Sequence, residues 1–120
     1  MTYSQPDICQ RTYQFAVRIV KLCQFLDQNP GVSRTLAQQL LRSGTSIGAN
    51  LREAQSAESK RDFFHKLKIA LKEARETEYW LDLLIDSELV PPNRIKPLRL
   101  ECRELCRILI ASTKKLNNTK

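Results

Sequence analysis

Histidine is almost missing from this chain: there is one, His65, in 120 residues. That scarcity removes whole classes of chemistry. A di-iron site in a helical bundle draws on two Glu-x-x-His motifs, and the nearest approach here is a single Asp-x-x-His, Asp62 to His65. Zinc takes about four ligands; Cys102 and Cys106, one helical turn apart, offer two, and His65 lies far away in sequence. A nucleophilic serine or cysteine needs a base beside it, and His65 stands among lysines with no such partner spaced to meet it. The expectation is a protein with no catalytic residue, no metal and no cofactor, hence not an enzyme.

Other absences narrow the class further. No apolar run approaches the roughly 18–20 residues of a membrane span. The opening MTYSQPDICQR lacks the basic-then-apolar layout of a secretory signal, so a cytoplasmic protein is expected. Without export, the four cysteines at 9, 23, 102 and 106 read as buried thiols acting as small hydrophobes rather than as two disulfides. No strand-like alternation competes with helical spacing, and the GxxxxGK[ST] of a phosphate loop does not occur.

What is present is helical periodicity in a globular composition, 42% hydrophobic against 28% charged. Stop and start signals give four helices, near 6–28, 34–58, 60–87 and 95–116, in one domain over 1–120. Ser4 and Asp7 flank Pro6 at the first start, and Asn29-Pro30-Gly31 ends that helix. Ser33 is placed to cap the second helix, and Ser59 with Asp62 has capping-box spacing for the third. Pro91-Pro92-Asn93 breaks the chain again, and Pro97 sets the fourth start near 94–96. Each helix carries one apolar seam: Phe15, Ile19, Leu22, Leu26; then Leu36, Leu40, Gly44, Ile47, Leu51, Ala54. The third reads Phe63, Leu67, Ala70, Ala74, Thr77, Leu81, Leu84, and the fourth Ile95, Leu98, Cys102, Leu105, Leu109, Ser112, Leu116. One buried stripe per helix and short loops predict an all-α, up-down-up-down antiparallel four-helix bundle.

Two features exceed what a bundle needs. The first helix is apolar at 12 of the 19 residues from Ile8 to Leu26, and one seam does not hide Tyr13, Val17, Val20 and Phe25. A wider core could absorb some of these four residues; a subunit interface on them is the favoured expectation, since large apolar patches are unusual on monomers. The second feature is charge. Of the net +7, residues 1–92 carry +1 and residues 93–120 carry +6. Arg94, Lys96, Arg99, Arg103, Arg107, Lys114 and Lys115 make the last helix strongly basic, with Glu101 and Glu104 as its only acids. These seven are the candidate nucleic-acid contacts, because repeated cations bind phosphates through counterion release. The bland alternative is a solvated face with ion pairs to Glu101 or Glu104. A secondary stripe, Arg61, His65, Lys68, Lys72, Arg75, runs along the third helix, diluted by Glu73, Glu76 and Glu78. A membrane surface is a weaker match, since the apolar faces are spent on the bundle.

The central stretch has a distinctive wording. Arg42-Ser43-Gly44-Thr45-Ser46-Ile47-Gly48-Ala49-Asn50 is followed by Glu53-Ala54, by Phe63-Phe64 with Lys66-Leu67, and by the run Ile69 to Leu81, IALKEARETEYWL. Gly44 and Gly48 with their small neighbours form a face that another helix can approach closely. Asn50, Glu53, Arg75, Glu76 and Glu78 lie near the seams, where polar groups need partners; pairs between helices two and three are expected. Over these residues the chain resembles the four-helix bundle family named after proteins encoded in 23S rRNA intervening sequences. The resemblance implies structural roles for Ser46, Asn50, Glu53, Arg75 and Glu78 and carries over no catalytic residue. It also implies a ring-shaped homopentamer, and likeness to accessory proteins of diversity-generating retroelements, which bind a reverse transcriptase and nucleic acid. The functional expectation is an oligomeric, basic, nucleic-acid-binding bundle; the alternative is a protein-binding scaffold or accessory subunit of a nucleic-acid enzyme.

Overall fold

The computed structural model describes residues 7–118; Ser4, Pro6 and Lys120 lie outside the described residues. Four helices follow in order, α1 Ile8–Leu26, α2 Val32–Ala54, α3 Lys60–Asp86 and α4 Pro92–Asn118. Each packs on its neighbours in a closed cycle, α1 on α2, α2 on α3, α3 on α4 and α4 back on α1, the last seam being the thinnest. The short loops between them make this an antiparallel up-down-up-down bundle. The long helices, 27 residues each, set its 47 Å length.

The helix ends show local chemistry at work. Asp7 caps α1 by accepting from the Gln10 backbone N–H at 2.8 Å. Ser59 caps α3 by accepting from the Asp62 N–H at 3.0 Å, and the Asp62 carboxylate favours the positive end of the helix. The expected cap at Ser33 does not form. Gly31, at φ +95°, turns the chain directly into α2, and the first turn closes from the Thr35 N–H to the Gly31 carbonyl. Ser33 is therefore inside the helix and buried. The fourth helix also begins early, at Pro92 rather than near 94–96. Proline at the first helical position has its φ preset and lacks only an N–H that would be unpaired anyway. Pro97 then falls inside α4, where it is exposed and leaves only the exposed Asn93 carbonyl without its helical donor.

The core is the set of predicted seams. Phe15, Ile19, Leu22 and Leu26 meet Leu40, Ile47 and Leu51 from α2, Leu67, Leu81 and Leu84 from α3, and Ile95, Leu98, Leu105 and Leu109 from α4. Leu36, Phe63, Ser112 and Leu116, at the helix ends, are only half-buried. Small residues set the spacing. A Cβ added at Gly44 would lie 2.8 Å from Ile19 Cγ2, so α1 and α2 touch closely there. Between α2 and α3 the buried Thr77 hydroxyl donates to Ser43 Oγ at 3.0 Å, satisfying a polar pair in an otherwise apolar layer.

Polar pairing joins α2 to α3 as expected, with different partners. Lys66 pairs with Glu53 at 2.7 Å, and Arg42 pairs with Glu73 and Glu76, the latter also accepting from Trp80 Nε1. Asn50 does not cross to α3; its Nδ2 donates to the Ser46 carbonyl one turn back in α2. Arg75 and Glu78 point the other way, toward α4. The thin α1–α4 seam is held by Arg11, whose guanidinium meets both Glu101 oxygens at 2.7 and 2.9 Å.

Candidate nucleic-acid interface

The seam between α3 and α4 holds half of the basic side chains that the sequence singles out, and it treats its two ends differently. The helices are antiparallel, so the second half of α3 lies beside the first half of α4. There Glu78 and Asp82 face the α4 arginines. Arg103 Nε donates to Glu78 Oε2 at 3.1 Å. Arg99 Nε lies 2.6 Å from Asp82 Oδ1, both atoms buried and off the ideal hydrogen-bond line. Arg107 pairs within its own helix with Glu104 at 3.0 Å. The three arginines that repeat every four residues thus all have acidic partners. Acidic neighbours are few along α4 itself, and two of the three partners come from α3.

The other basic α4 residues scatter. The Arg94 guanidinium sits 4.2 Å from the Phe25 ring centroid, on the α1 side. Lys96 and Lys115 are exposed and take part in no ion pair found among the described residues.

At the opposite end of the seam the first half of α3 meets the last turns of α4 around an open groove of about 640 Å³. Lys68, Lys72 and Arg75, spaced 4-3 along one helix face, project beside it, and Lys114 comes from α4. Phe64 and Leu71 supply the apolar part, Thr113 and Asn117 the neutral polar part. None of these four cations is in an ion pair among the described residues. Lys68 Nζ stands 5.5 Å from the Phe64 ring centroid. Arg61 and His65 continue the stripe as exposed residues outside the groove lining.

The acids that dilute this stripe in sequence are elsewhere in space. Glu73 and Glu76 turn to Arg42 on α2, and Glu78 turns to Arg103 further along the seam. Helical geometry explains the separation. At about 100° per residue, Glu73 and Glu76 rotate off the face of Lys68, Lys72 and Arg75 toward α2. The signal is in the sequence as angular spacing, but choosing which face meets which helix requires the fold.

The titratable groups that are shifted stand in ion pairs or are cysteine thiols. Hydrogen bonding to Glu101 raises the Arg11 guanidinium further, and Glu53 does the same for Lys66. Burial pushes the Cys23 thiol up to about 12. Hydrogen bonding with Cys106, then burial, holds the Cys102 thiol far above its ordinary range, and Cys102 also donates to the Ala74 carbonyl at 3.4 Å. Among the described residues no cluster of three or more His, Cys, Asp or Glu is arranged to hold a metal ion. No helix among them is long and apolar enough to cross a membrane.

The expected interface residues divide as well. Tyr13, Val17 and Val20 are exposed, at 54%, 37% and 39%. With Leu41 of α2 they form a band on the α1–α2 side, where Tyr13 and Val20 border two shallow grooves. Phe25 is not part of it. It lies about a third of a turn around α1, half-buried against the core beneath Arg94.

Residues 4–111 match the family model described as 23S rRNA-intervening sequence protein. The chain belongs to the 23S rRNA-intervening sequence protein family. A solved structure from Bacteroides thetaiotaomicron VPI-5482, a protein with unknown function from the S23 ribosomal protein family, is similar throughout. It shares 46% identity over 90% of this chain and 99% of that one, with a TM-score of 0.83. No curated protein matches. Family membership accounts for the bundle and for the wording of the α2–α3 segment.

Proposed function

We propose that this 23S rRNA-intervening sequence family member is a non-catalytic, oligomeric protein of the cytoplasm that binds nucleic acid through phosphates at the α3–α4 groove. The observation that carries the reading is the convergence of Lys68, Lys72, Arg75 and Lys114, from two helices, with no carboxylate paired to any of them among the described residues. Cations without an acidic partner meet phosphates directly, releasing the counterions of the nucleic acid, whereas Arg99, Arg103 and Arg107 would first have to leave their acids. Lys96 and Lys115 extend the positive field without shaping a site.

Assembly through Tyr13, Val17, Val20 and Leu41 would repeat the groove around a ring. In the homopentamer that the family resemblance implies, several weak phosphate sites act together and gain avidity. Light scattering of the full chain with and without structured RNA, at two salt concentrations, tests both parts. A mass of several chains that rises with RNA and falls back as salt increases supports the reading. A monomer indifferent to RNA at low salt refutes it.

The apolar α1–α2 band supports a second reading, a scaffold or accessory subunit of a nucleic-acid enzyme such as a reverse transcriptase. Val17→Asp with Val20→Asp separates the two uses of that face. A variant that stays oligomeric but no longer retains such an enzyme favours the scaffold, and one that becomes monomeric favours self-assembly.

A further inference from the structure

We infer that the α3–α4 groove is built for a single strand, RNA or DNA, and discriminates against a duplex; this rests on the phosphate-binding reading above. Charge alone would serve either ligand. The floor is what separates them. Phe64 and Leu71 line the same groove as the four cations, and the methylene stems of Lys68, Lys72 and Lys114 add apolar surface beside them. A duplex keeps its bases stacked inside and presents phosphates and sugars, so an apolar floor gives it nothing. A single strand has base faces to bury: a base can exchange with the Lys68 ammonium that stands over the Phe64 ring, while Lys68 turns to the adjoining phosphate.

The dimensions agree with a short segment of strand. Lys68 and Lys72 are about 6 Å apart along the helix axis, and Lys68 to Arg75 spans about 10 Å, enough for a few nucleotides. Lys114 faces them from α4, so the cations stand on both sides of the floor. A flexible strand adjusts its phosphate positions to two walls, while a duplex offers one fixed convex surface. Thr113 and Asn117 place neutral hydrogen-bonding groups at the same opening. The Thr113 hydroxyl donates to the Ile110 carbonyl at 2.9 Å and stays open as an acceptor, and the Asn117 amide both donates and accepts, so both can meet base edges. The α1–α2 grooves lack this combination: they have one arginine between them, Arg52, which lies 5.6 Å from the Tyr13 ring centroid.

The test uses the full chain and three probes of equal length at moderate salt: oligothymidylate, the same backbone without bases, and a blunt duplex. Fluorescence anisotropy is expected to rank oligothymidylate tightest, about tenfold over the duplex and several-fold over the abasic strand. Phe64→Leu keeps apolar volume and removes the ring face. It is expected to weaken oligothymidylate several-fold, leave the duplex and the salt slope unchanged, and keep the helical circular dichroism. Equal or tighter duplex binding, or an abasic strand as good as oligothymidylate, overturns the single-strand inference and leaves phosphate binding standing. Failure to bind any probe, even at low salt, removes the inference and the reading beneath it together.

Discussion

The two ends of the α3–α4 seam carry the same kind of side chain and use it in opposite ways. At one end Arg99 and Arg103 lie against Asp82 and Glu78. At the other, Lys68, Lys72, Arg75 and Lys114 surround an open groove without acidic partners among the described residues. The paired end is a clasp between two helices, with partly exposed ion pairs that each contribute about 0–1 kcal/mol. The open end gives up such pairing and keeps its charge available to solvent. Counting basic residues along the chain ranks α4 first; resolving their partners ranks the groove first.

The largest expected effect comes from reversing the open end. Lys72→Glu, Arg75→Glu and Lys114→Glu together are expected to lower nucleic-acid affinity by about a hundredfold at moderate salt. The slope of log affinity against log salt should fall by about three, one for each phosphate no longer neutralised. Thermal unfolding should hardly change, because these side chains are in no ion pair among the described residues. Affinity surviving the triple change would dissolve the distinction between the ends.

A smaller effect sharpens the comparison from the other side. Glu78→Gln with Asp82→Asn frees Arg103 and Arg99 while leaving both arginines in place. Affinity is expected to rise by about threefold with a steeper salt slope, and stability to fall by less than about 2 kcal/mol. Urea unfolding measures the second, a salt titration the first. No gain in affinity would mean that position along the seam, and not pairing, silences those arginines.

The smallest effect is expected from removing the clasp itself. Arg99→Ala with Arg103→Ala should cost about 0–1 kcal/mol at each site and change affinity by no more than about twofold. A fall in affinity comparable to that of the triple reversal would return the binding site to the first half of α4.

Much of the bundle is legible in the sequence. The seam of α3 from Leu67 to Leu84 and that of α4 from Ile95 to Leu109 are buried in the predicted register, because a 3.6-residue repeat and a single core leave one solution. Ser59 is legible for the same local reason, since a cap acts on N–H groups three residues away; Asp7 is legible only as one of two candidates with Ser4, and the helix starts after it, at Ile8. Ser33 misleads because the neighbouring Gly31 already turns the chain, and Pro97 because Pro92 offers an earlier start. The candidate site is half legible. Lys68, Lys72 and Arg75 share a face by spacing alone, but nothing local places Lys114, Thr113 and Asn117 opposite them, and charge counting ranks that stripe second.

The sequence by itself determined the helices, their buried stripes, the excess of positive charge and the apolar surplus on α1, since each follows from residues within a few turns of one another. The tertiary structure alone decided which charges cancel. Whether Arg103 meets Glu78, or Lys114 faces Lys72, depends on the axial register and rotation of two antiparallel helices. The core sets these by close packing, around Ala70, Ala74, Cys102 and Leu105 for this pair. A shift of one turn, about 5.4 Å, would trade one set of partners for another while leaving every helical propensity unchanged.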